Sequence, residues 1–291
     1  MPFEGWLAKV KGHDAIWMVR GYEHPSDGFI VTPYRASATS GGLTPFVRVE
    51  FLWCVGRSTY ILERRYAVLI DPVKALRTAR VPDVIRDLID QLGAEWVGLT
   101  GSYAIGLQRP DSDVDLLVYS RRPDEIYARL LDLRGSGLIS DCDLEQRFRK
   151  ERSSFTLKEF LTLHPLKVLD SCYKGVPYTL RLLRAIDETP CRSMFTPLGW
   201  LTAIGELKPL EPYLTPATYI YNAEGGGEYV LLSWRTRYQE LPPGRYLVRG
   251  LVQRDEINGL LYIVPDLEGY VKPLEVWARQ PGGDERRHNW G

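Results

Sequence analysis

Two aspartates at alternate positions follow a glycine-rich turn in the first half of this chain. The turn is Gly101-Ser102-Tyr103-Ala104-Ile105-Gly106. Asp113 directly precedes the mostly apolar stretch Val114–Tyr119, and Asp115 is the second residue of that stretch. Residues two apart on a strand project from the same face, so both carboxylates are expected side by side, next to Leu117. Such neighbours repel each other unless a cation lies between them, and Mg²⁺ prefers carboxylate oxygens. The aspartate pair therefore predicts a magnesium site.

The turn itself predicts a phosphate-binding segment. Gly101 and Ser102 directly follow the short apolar run Trp96–Leu99, which is typical of a buried strand. Backbone N–H groups and a hydroxyl at a strand-to-helix turn are suited to hold phosphate oxygens, and Gly106 permits a tight turn or close packing. The structural alternative is a glycine-rich loop whose aspartates cap a turn. Asp111, which follows Pro110, is interpreted as a turn residue.

This ordered pair of motifs resembles the signature of the DNA polymerase β-like nucleotidyltransferase superfamily. The resemblance implies that Gly101, Ser102 and Gly106 bind the triphosphate of a nucleotide such as ATP. It also implies that Asp113 and Asp115 are catalytic and bind two Mg²⁺ ions, while an acceptor hydroxyl displaces pyrophosphate from the α-phosphorus. The resemblance extends over residues 84–183, and the whole arrangement resembles uncharacterised archaeal predicted nucleotidyltransferases with flanking β-rich domains.

The superfamily usually adds a third carboxylate, on a later strand, that helps to deprotonate the attacking group. The corresponding strand here, Pro177–Leu182, has Thr179 at that place, and threonine cannot act as that base. A Lys174-Gly175 turn predicts a hairpin in which Asp170 lies opposite Thr179. Asp170 is therefore the predicted third catalytic and metal-binding carboxylate. The alternatives are a solvated strand residue or a partner for Arg181.

Three further polar residues belong to this hypothesis. Arg181 is expected on the same hairpin face as Asp170, where it would bind nucleotide phosphate as a bidentate donor or form a structural ion pair. Asp141 and Asp143 are weaker alternatives for the third carboxylate, because a capping box at Ser140 with Asp143 already explains them.

The periodicity predicts an α+β fold in three parts. Residues 1–70 alternate as short strands, one of which, Gly28–Tyr34, runs into a loop. Residues 71–190 form the nucleotidyltransferase core, a mixed sheet packed on helices, with one helix starting at Pro82-Asp83 and stopping at Gly93 and a capping box at Thr156 with Glu159. Residues 191–291 contain five short apolar strands, which favours a β-barrel that is OB-like.

The aromatic residues of the C-terminal part allow two interpretations. With interleaved arginines they would stack the bases of single-stranded nucleic acid on an OB surface, or they form the barrel core and rim. Acidic residues are equally common in this part, which favours the second interpretation. The aromatic set is Trp200, Tyr213, Tyr219, Tyr221, Trp234 and Tyr238.

The composition and the first residues indicate the binding partners and the cellular location to expect. The formal net charge is zero, so no overall field draws the chain onto nucleic acid. The first residues do not resemble a secretion signal and no apolar run is long enough for a membrane span, so we expect a cytoplasmic protein with no membrane partner. Scarce Asn and Gln indicate a thermophilic source. The four cysteines are interpreted as buried free thiols, although an intracellular disulfide is less improbable in a protein from a hot environment. His24-Pro25 and His164-Pro165 are interpreted as turn entries.

Three functions are consistent with these observations. The first is a magnesium-dependent nucleotidyltransferase that moves a nucleoside monophosphate from a nucleoside triphosphate to a hydroxyl of RNA, protein or a small molecule. The second is a nucleotide-binding module that lost catalysis together with the third carboxylate. The third is a single-stranded nucleic-acid-binding protein that acts through its C-terminal barrel.

Overall fold

The computed structural model describes residues 3–35, 46–150, 155–277 and 288–289. The chain divides into two compact units, each discontinuous in sequence. The first unit contains residues 1–129 and 177–195, and the second contains residues 130–176 and 196–291. The three-part division expected from the sequence stays a prediction.

Strands dominate the described residues, and they are numbered in chain order. They are β1 Leu7–Val10, β2 Ile16–Val19, β3 Glu23–His24, β4 Gly28–Arg35, β5 Val47–Leu52, β6 Arg57–Glu63, β7 Ala67–Ile70, β8 Trp96–Leu99, β9 Val114–Ser120, β10 Ile139–Ser140, β11 Asp170–Tyr173, β12 Val176–Arg184, β13 Thr189–Pro190, β14 Phe195–Glu211, β15 Ala217–Ala223, β16 Glu228–Ser233, β17 Gly244–Asp255, β18 Leu261–Val264, β19 Tyr270–Val276 and β20 His288–Asn289.

Helices are fewer, so the protein is a mixed α/β structure in which sheets predominate. The α-helices of the described residues are α1 Pro72–Thr78, α2 Asp83–Leu92, α3 Gly101–Ala104, α4 Pro123–Gly135, α5 Leu144–Lys150 and α6 Leu157–Leu163. Within the described ranges, none is long and apolar enough to cross a membrane.

Helix α2 begins and ends where local signals predict. Asp83 is its first residue after Pro82, and Gly93 ends it in the left-handed region with φ 55°. Ile85, Leu88 and Leu92 lie three and four residues apart and are fully buried, which explains why this stretch packs as a helix.

The first unit contains a six-stranded sheet in the order β5-β6-β4-β2-β1-β7. Its inward side chains form an apolar cluster that includes Val10, Trp17, Val19, Val31 and Leu62. Strands β2 and β4 therefore confirm the alternating pattern predicted for the N-terminal residues.

Strand β9 lies between β8 and β12 in the same unit. It pairs antiparallel with β8 and parallel with β12. Val114, Leu116 and Val118 on one face of β9 are completely buried, and so are Leu117 and Tyr119 on the other. This strand positions the aspartates that the sequence singles out.

The second unit contains a seven-stranded sheet in the order β14-β15-β16-β18-β17-β19-β20. Strand β14 pairs in addition with β17, so the pairings of β14, β15, β16, β18 and β17 form a closed ring. Tyr219, Tyr221 and Tyr246 are completely buried in its core, where α6 contributes Phe160 and Leu163. The five predicted C-terminal strands are the five of this ring, whereas β19 was not predicted.

The capping predictions have different outcomes. The box at the start of α6 is confirmed, because the Thr156 hydroxyl accepts from Glu159 N and the Glu159 carboxylate accepts from Thr156 N. The box at Ser140 is wrong. Ser140 ends strand β10, and the Asp143 carboxylate caps α5 instead by accepting from Gln146 N at 2.9 Å.

The interpretation of the cysteines as free thiols is also wrong. Cys54 pairs with Cys191 and Cys142 pairs with Cys172, and no free cysteine is present among the described residues. The folded strands bring together residues that are 137 and 30 positions apart in sequence, a proximity that spacing alone does not reveal.

His24 ends β3 directly before the turn that follows Pro25, and His164 begins a single helical turn, so both histidines lie at turn entries as interpreted, with their side chains buried. The His24 Nδ1 accepts a hydrogen bond from Ile30 N at 3.2 Å, and burial, together with nearby Arg64, lowers the pKa of His24 to about 4. Protonation of His24 at Nδ1 would place an N–H donor against the N–H donor of Ile30, and the hydrogen bond between them would be lost.

Stability is therefore expected to fall in mild acid. The pKa of His24 is lower in the folded protein than its usual 6.5, so its contribution is complete above pH 6.5 and declines as pH falls toward 4. When the pH is lowered from 6.5 to 5, the free energy of unfolding should decrease by about 2 kcal/mol less in the His24→Asn variant than in the wild type. Urea unfolding at several pH values measures this difference. Parallel pH curves for the two proteins would contradict it.

Candidate functional site

Asp113 and Asp115 both reach the partly solvent-exposed side of β9. Each is half-buried, while the intervening Val114 is completely buried on the opposite face. Asp113 directly precedes the strand and Asp115 is its second residue. The two residues therefore have similar exposure, and the placement of their carboxylates side by side stays a prediction.

The glycine-serine turn lies directly against Asp115. A Cβ atom added to Gly101 would overlap the carboxylate of Asp115, and Gly101 itself has φ 68° in the left-handed region. Thr100 N also donates to Asp115 O at 2.9 Å, which fixes the end of β8 against β9. Only glycine allows this approach, so the turn and the carboxylate are in direct contact.

The rest of the turn folds back on itself. Gly101 and Ser102 are buried and begin the single-turn helix α3. Leu107 N donates to Ser102 O at 2.9 Å, and Gly106 follows with φ 68°, with open space where a Cβ would stand. Gly106 is thus required for the turn conformation and not for close packing. Asp111 lies in an exposed turn, as interpreted from the sequence.

Thr179 lies beside Asp115. In the parallel pairing of β12 with β9, Thr179 is the partner of Asp115, and Arg181 is the partner of Leu117. The position next to the aspartate pair on the neighbouring strand is therefore occupied by threonine, as the sequence indicates.

Arg181 forms an ion pair with a residue that the sequence analysis missed. Its Nη1 donates to Glu4 Oε1 at 3.1 Å, and Glu4 is completely buried. Glu4 also accepts from Arg20 Nη1 at 3.1 Å and from Gly21 N at 2.6 Å. No local signal marks Glu4, because its partner is 177 residues away. Phosphate binding by Arg181 stays a prediction.

The N-terminal segment also packs on the sheet that carries the aspartates. Thr100 Oγ1 donates to Gly5 O at 2.7 Å, and Trp6 Nε1 donates to the Tyr119 hydroxyl at 2.9 Å. A side chain at Gly5 would collide with Leu117 of β9. Residues of the N-terminal region therefore belong to the immediate surroundings of β9.

Asp170 starts β11 in the second unit, where its carboxylate has two partners. One oxygen is ion-paired with Arg147, and the other lies 3.3 Å from His164 Nε2. Burial, with Lys167, Arg147 and Arg134 nearby, lowers the pKa of His164 to about 3, so the imidazole is neutral near pH 7 and donates from Nε2. The assignment of Asp170 as third carboxylate stays a prediction.

The segment before Asp170 is held by a buried carboxylate in the same unit. Glu240 Oε1 accepts from Val168 N at 2.9 Å, and Glu240 Oε2 accepts from Leu169 N at 3.0 Å. The Lys167 ammonium donates to Thr236 O and Arg237 O. These contacts fix the start of β11, a role for Glu240 that its sequence neighbourhood does not indicate.

The aromatic residues of the second unit fall into two groups. Tyr219, Tyr221 and Tyr238 are buried, which confirms the interpretation of these three as core. Trp200 on β14 is 43 % exposed, and the Arg249 guanidinium lies 5.4 Å from the centre of its ring.

Comparison with known proteins gives one match. Residues 83–174 match the family described as the nucleotidyltransferase domain. The matched segment includes the turn, both aspartates and Asp170, and it ends before Thr179 and Arg181. No curated protein and no solved structure matches the chain. The resemblance to archaeal relatives stays a prediction. Residues 83–174 thus form a nucleotidyltransferase domain, consistent with the polymerase β-like character of the segment from Gly101 to Asp115.

Proposed function

We propose that the protein is a magnesium-dependent nucleotidyltransferase. It transfers a nucleoside monophosphate from a nucleoside triphosphate to an acceptor hydroxyl and releases pyrophosphate. The observation that carries this proposal is the direct contact between the Gly101 backbone and the Asp115 carboxylate, since it joins a phosphate-binding turn to an acidic pair.

The residues around Asp115 are suited to a divalent cation. Asp113 and Asp115 offer hard carboxylate oxygens at two alternate, half-buried positions of the chain. Neighbouring carboxylates repel each other less when a divalent cation lies between them, and Mg²⁺ prefers such oxygens. This donor set supports the proposal that both aspartates hold Mg²⁺, with two ions expected.

The protein residues then have separate tasks. The backbone of Gly101 and the hydroxyl of Ser102 bind the triphosphate, and Gly106 sets the turn that presents them. Arg181 is proposed as a further phosphate ligand, which requires it to share its guanidinium with Glu4. Bound Mg²⁺ would neutralise the charge that develops on the entering and leaving oxygens.

Asp170 is our proposed third carboxylate. Thr179, next to Asp115, cannot accept the proton of an acceptor hydroxyl, so another group must do so. Asp170 is only partly buried, with 24 % of its side chain exposed, and it is held by Arg147 and by neutral His164. In this role it would accept the proton while Arg147 maintains its orientation.

A second candidate function uses the strand ring of the second unit. Its strand order and the parallel pairing of β16 with β18 support an OB-like arrangement, a fold that binds oligonucleotides. The exposed Trp200 with Arg249 over its ring is the specific observation in its favour, because such a pair can stack a base. In this proposal RNA is the acceptor or a bound partner.

The transfer reaction tests the main proposal. Full-length protein is incubated with labelled nucleoside triphosphates, Mg²⁺ and a panel of RNA, protein and small-molecule acceptors. Incorporation should require Mg²⁺ and should fall at least about 100-fold in the Asp113→Asn, Asp115→Asn double variant, because both cation ligands lose their charge. The exposed Asp111→Asn variant is the matched control and should retain activity.

Other outcomes of this experiment separate the alternatives. Magnesium-dependent nucleotide binding without incorporation into any acceptor would favour the inactive module. Single-strand binding that weakens with salt and survives loss of both aspartates would favour the nucleic-acid-binding function. Incorporation that is unaffected by the double variant would contradict the role given to the aspartates.

Two glycines with the same backbone conformation test the contact that carries the proposal. Gly101→Ala should weaken magnesium-nucleotide binding at least about tenfold, because its Cβ would displace the Asp115 carboxylate. Gly106→Ala is the matched control. It has the same φ of 68° and nothing near its Cβ, so only backbone strain remains. Calorimetric titration measures both, and equal losses would contradict a specific contact.

The proposed role of Asp170 predicts a loss of rate rather than of binding. Asp170→Asn should lower the transfer rate about 100-fold while the affinity for magnesium-nucleotide changes little. Asp141→Asn is the control, because Asp141 is an exposed carboxylate paired with Arg134. Unfolding curves separate a rate effect from lost stability, since Arg147 would also lose its ionised partner. A fully active, folded Asp170→Asn variant would exclude the role.

A further inference from the structure

A β-bulge in the N-terminal sheet occurs at Tyr34. Strand β4 pairs with β2 through Met18 with Thr32, Trp17 with Pro33 and Ile16 with Arg35, so the register skips Tyr34. An extra residue of this kind bends the strand and redirects its side chain, and bulges are common next to active sites. Pro33, which lacks an N–H donor, is tolerated at such a position.

The bulge places Tyr34 beside the glycine-serine turn. Tyr34 packs on the cluster of Leu7, Ile16 and Met18, and Ala104 and Ile105 from the turn pack on this same cluster. The next residue, Arg35, reaches the end of the turn, where its Nη2 donates to Leu107 O at 3.4 Å. Two consecutive residues of β4, Tyr34 and Arg35, therefore lie next to the segment from Gly101 to Leu107.

Three charged side chains, those of Asp115, Arg35 and Arg181, act electrostatically on the phenol group of Tyr34. Burial, and next the negative charge of Asp115, raise the pKa of Tyr34 to about 12, whereas Arg35 and Arg181 act in the opposite direction. The hydroxyl thus keeps its proton at neutral pH. A protonated phenol can donate a hydrogen bond to an acceptor such as a phosphate oxygen.

We propose that Tyr34 is a nucleotide-binding residue whose hydroxyl donates a hydrogen bond to the polyphosphate of the bound nucleotide. This inference rests on the proposed function, since it assigns a further residue to that same site. A hydroxyl donor backed by a guanidinium matches the anionic oxygens of a polyphosphate better than the apolar face of a base. The N-terminal sheet would then supply part of the substrate site instead of being a separate module.

Inorganic tripolyphosphate with Mg²⁺ tests the inference, because it contains the polyphosphate without base or sugar. Calorimetric titration is carried out on the full-length wild type, the Tyr34→Phe variant and the Tyr60→Phe variant. Tyr34→Phe keeps the ring that packs on the cluster and removes only the hydroxyl. We expect its dissociation constant to rise about tenfold, the usual effect of losing a hydrogen bond to a charged group. Tyr60, a half-buried tyrosine on β6 of the same sheet, is the control and should leave the constant unchanged.

The outcomes separate this inference from the proposed function. Binding by Tyr34→Phe as tight as by the wild type would overturn the inference and leave the proposed function intact. A wild type that binds no magnesium tripolyphosphate, or binds it equally well after loss of Asp113 and Asp115, would overturn the proposed function and the inference with it. An equal loss in Tyr34→Phe and Tyr60→Phe would also overturn the inference, because the effect would then come from the sheet and not from this hydroxyl.

Discussion

The contact between the Gly101 backbone and the Asp115 carboxylate is the constraint on which the site depends. It requires a residue without a side chain at φ 68°, at the junction where β8 ends and α3 begins. Because β9 is paired on both sides, the backbone of Asp115 cannot move away from the turn without breaking the sheet. The sheet therefore fixes the distance between the glycine-serine turn and the backbone of Asp115, and the proposed catalysis by positioning needs a fixed distance of this kind.

An ion-pair network near this contact joins residues that lie far apart in sequence. Completely buried Glu4 pairs with both Arg181 and Arg20, whose side chains are only partly buried. A buried ion pair of this kind contributes little net stability, but loss of one partner leaves an uncompensated charge in the core.

Local signals in the sequence predicted the elements that carry the site. Helix α2 begins after Pro82 and stops at Gly93 because each end has its own cap signal, and β9 follows from a mostly apolar run that contains Asp115. The pair of motifs around Gly101 and Asp115 identified the domain. Contacts over long sequence distances were not predictable from one chain. The Glu4–Arg181 pair, the two disulfides and the bulge at Tyr34 all depend on how distant strands align, which periodicity does not encode.

The most direct test of the account is a crystal structure of the full chain with Mn²⁺ and a non-hydrolysable nucleoside triphosphate, with the metal located by its anomalous scattering. We expect metal peaks in contact with the carboxylates of Asp113 and Asp115, and the triphosphate on the backbone of Gly101 and Ser102. Metal bound elsewhere, or a triphosphate that avoids this turn, would contradict the central claim.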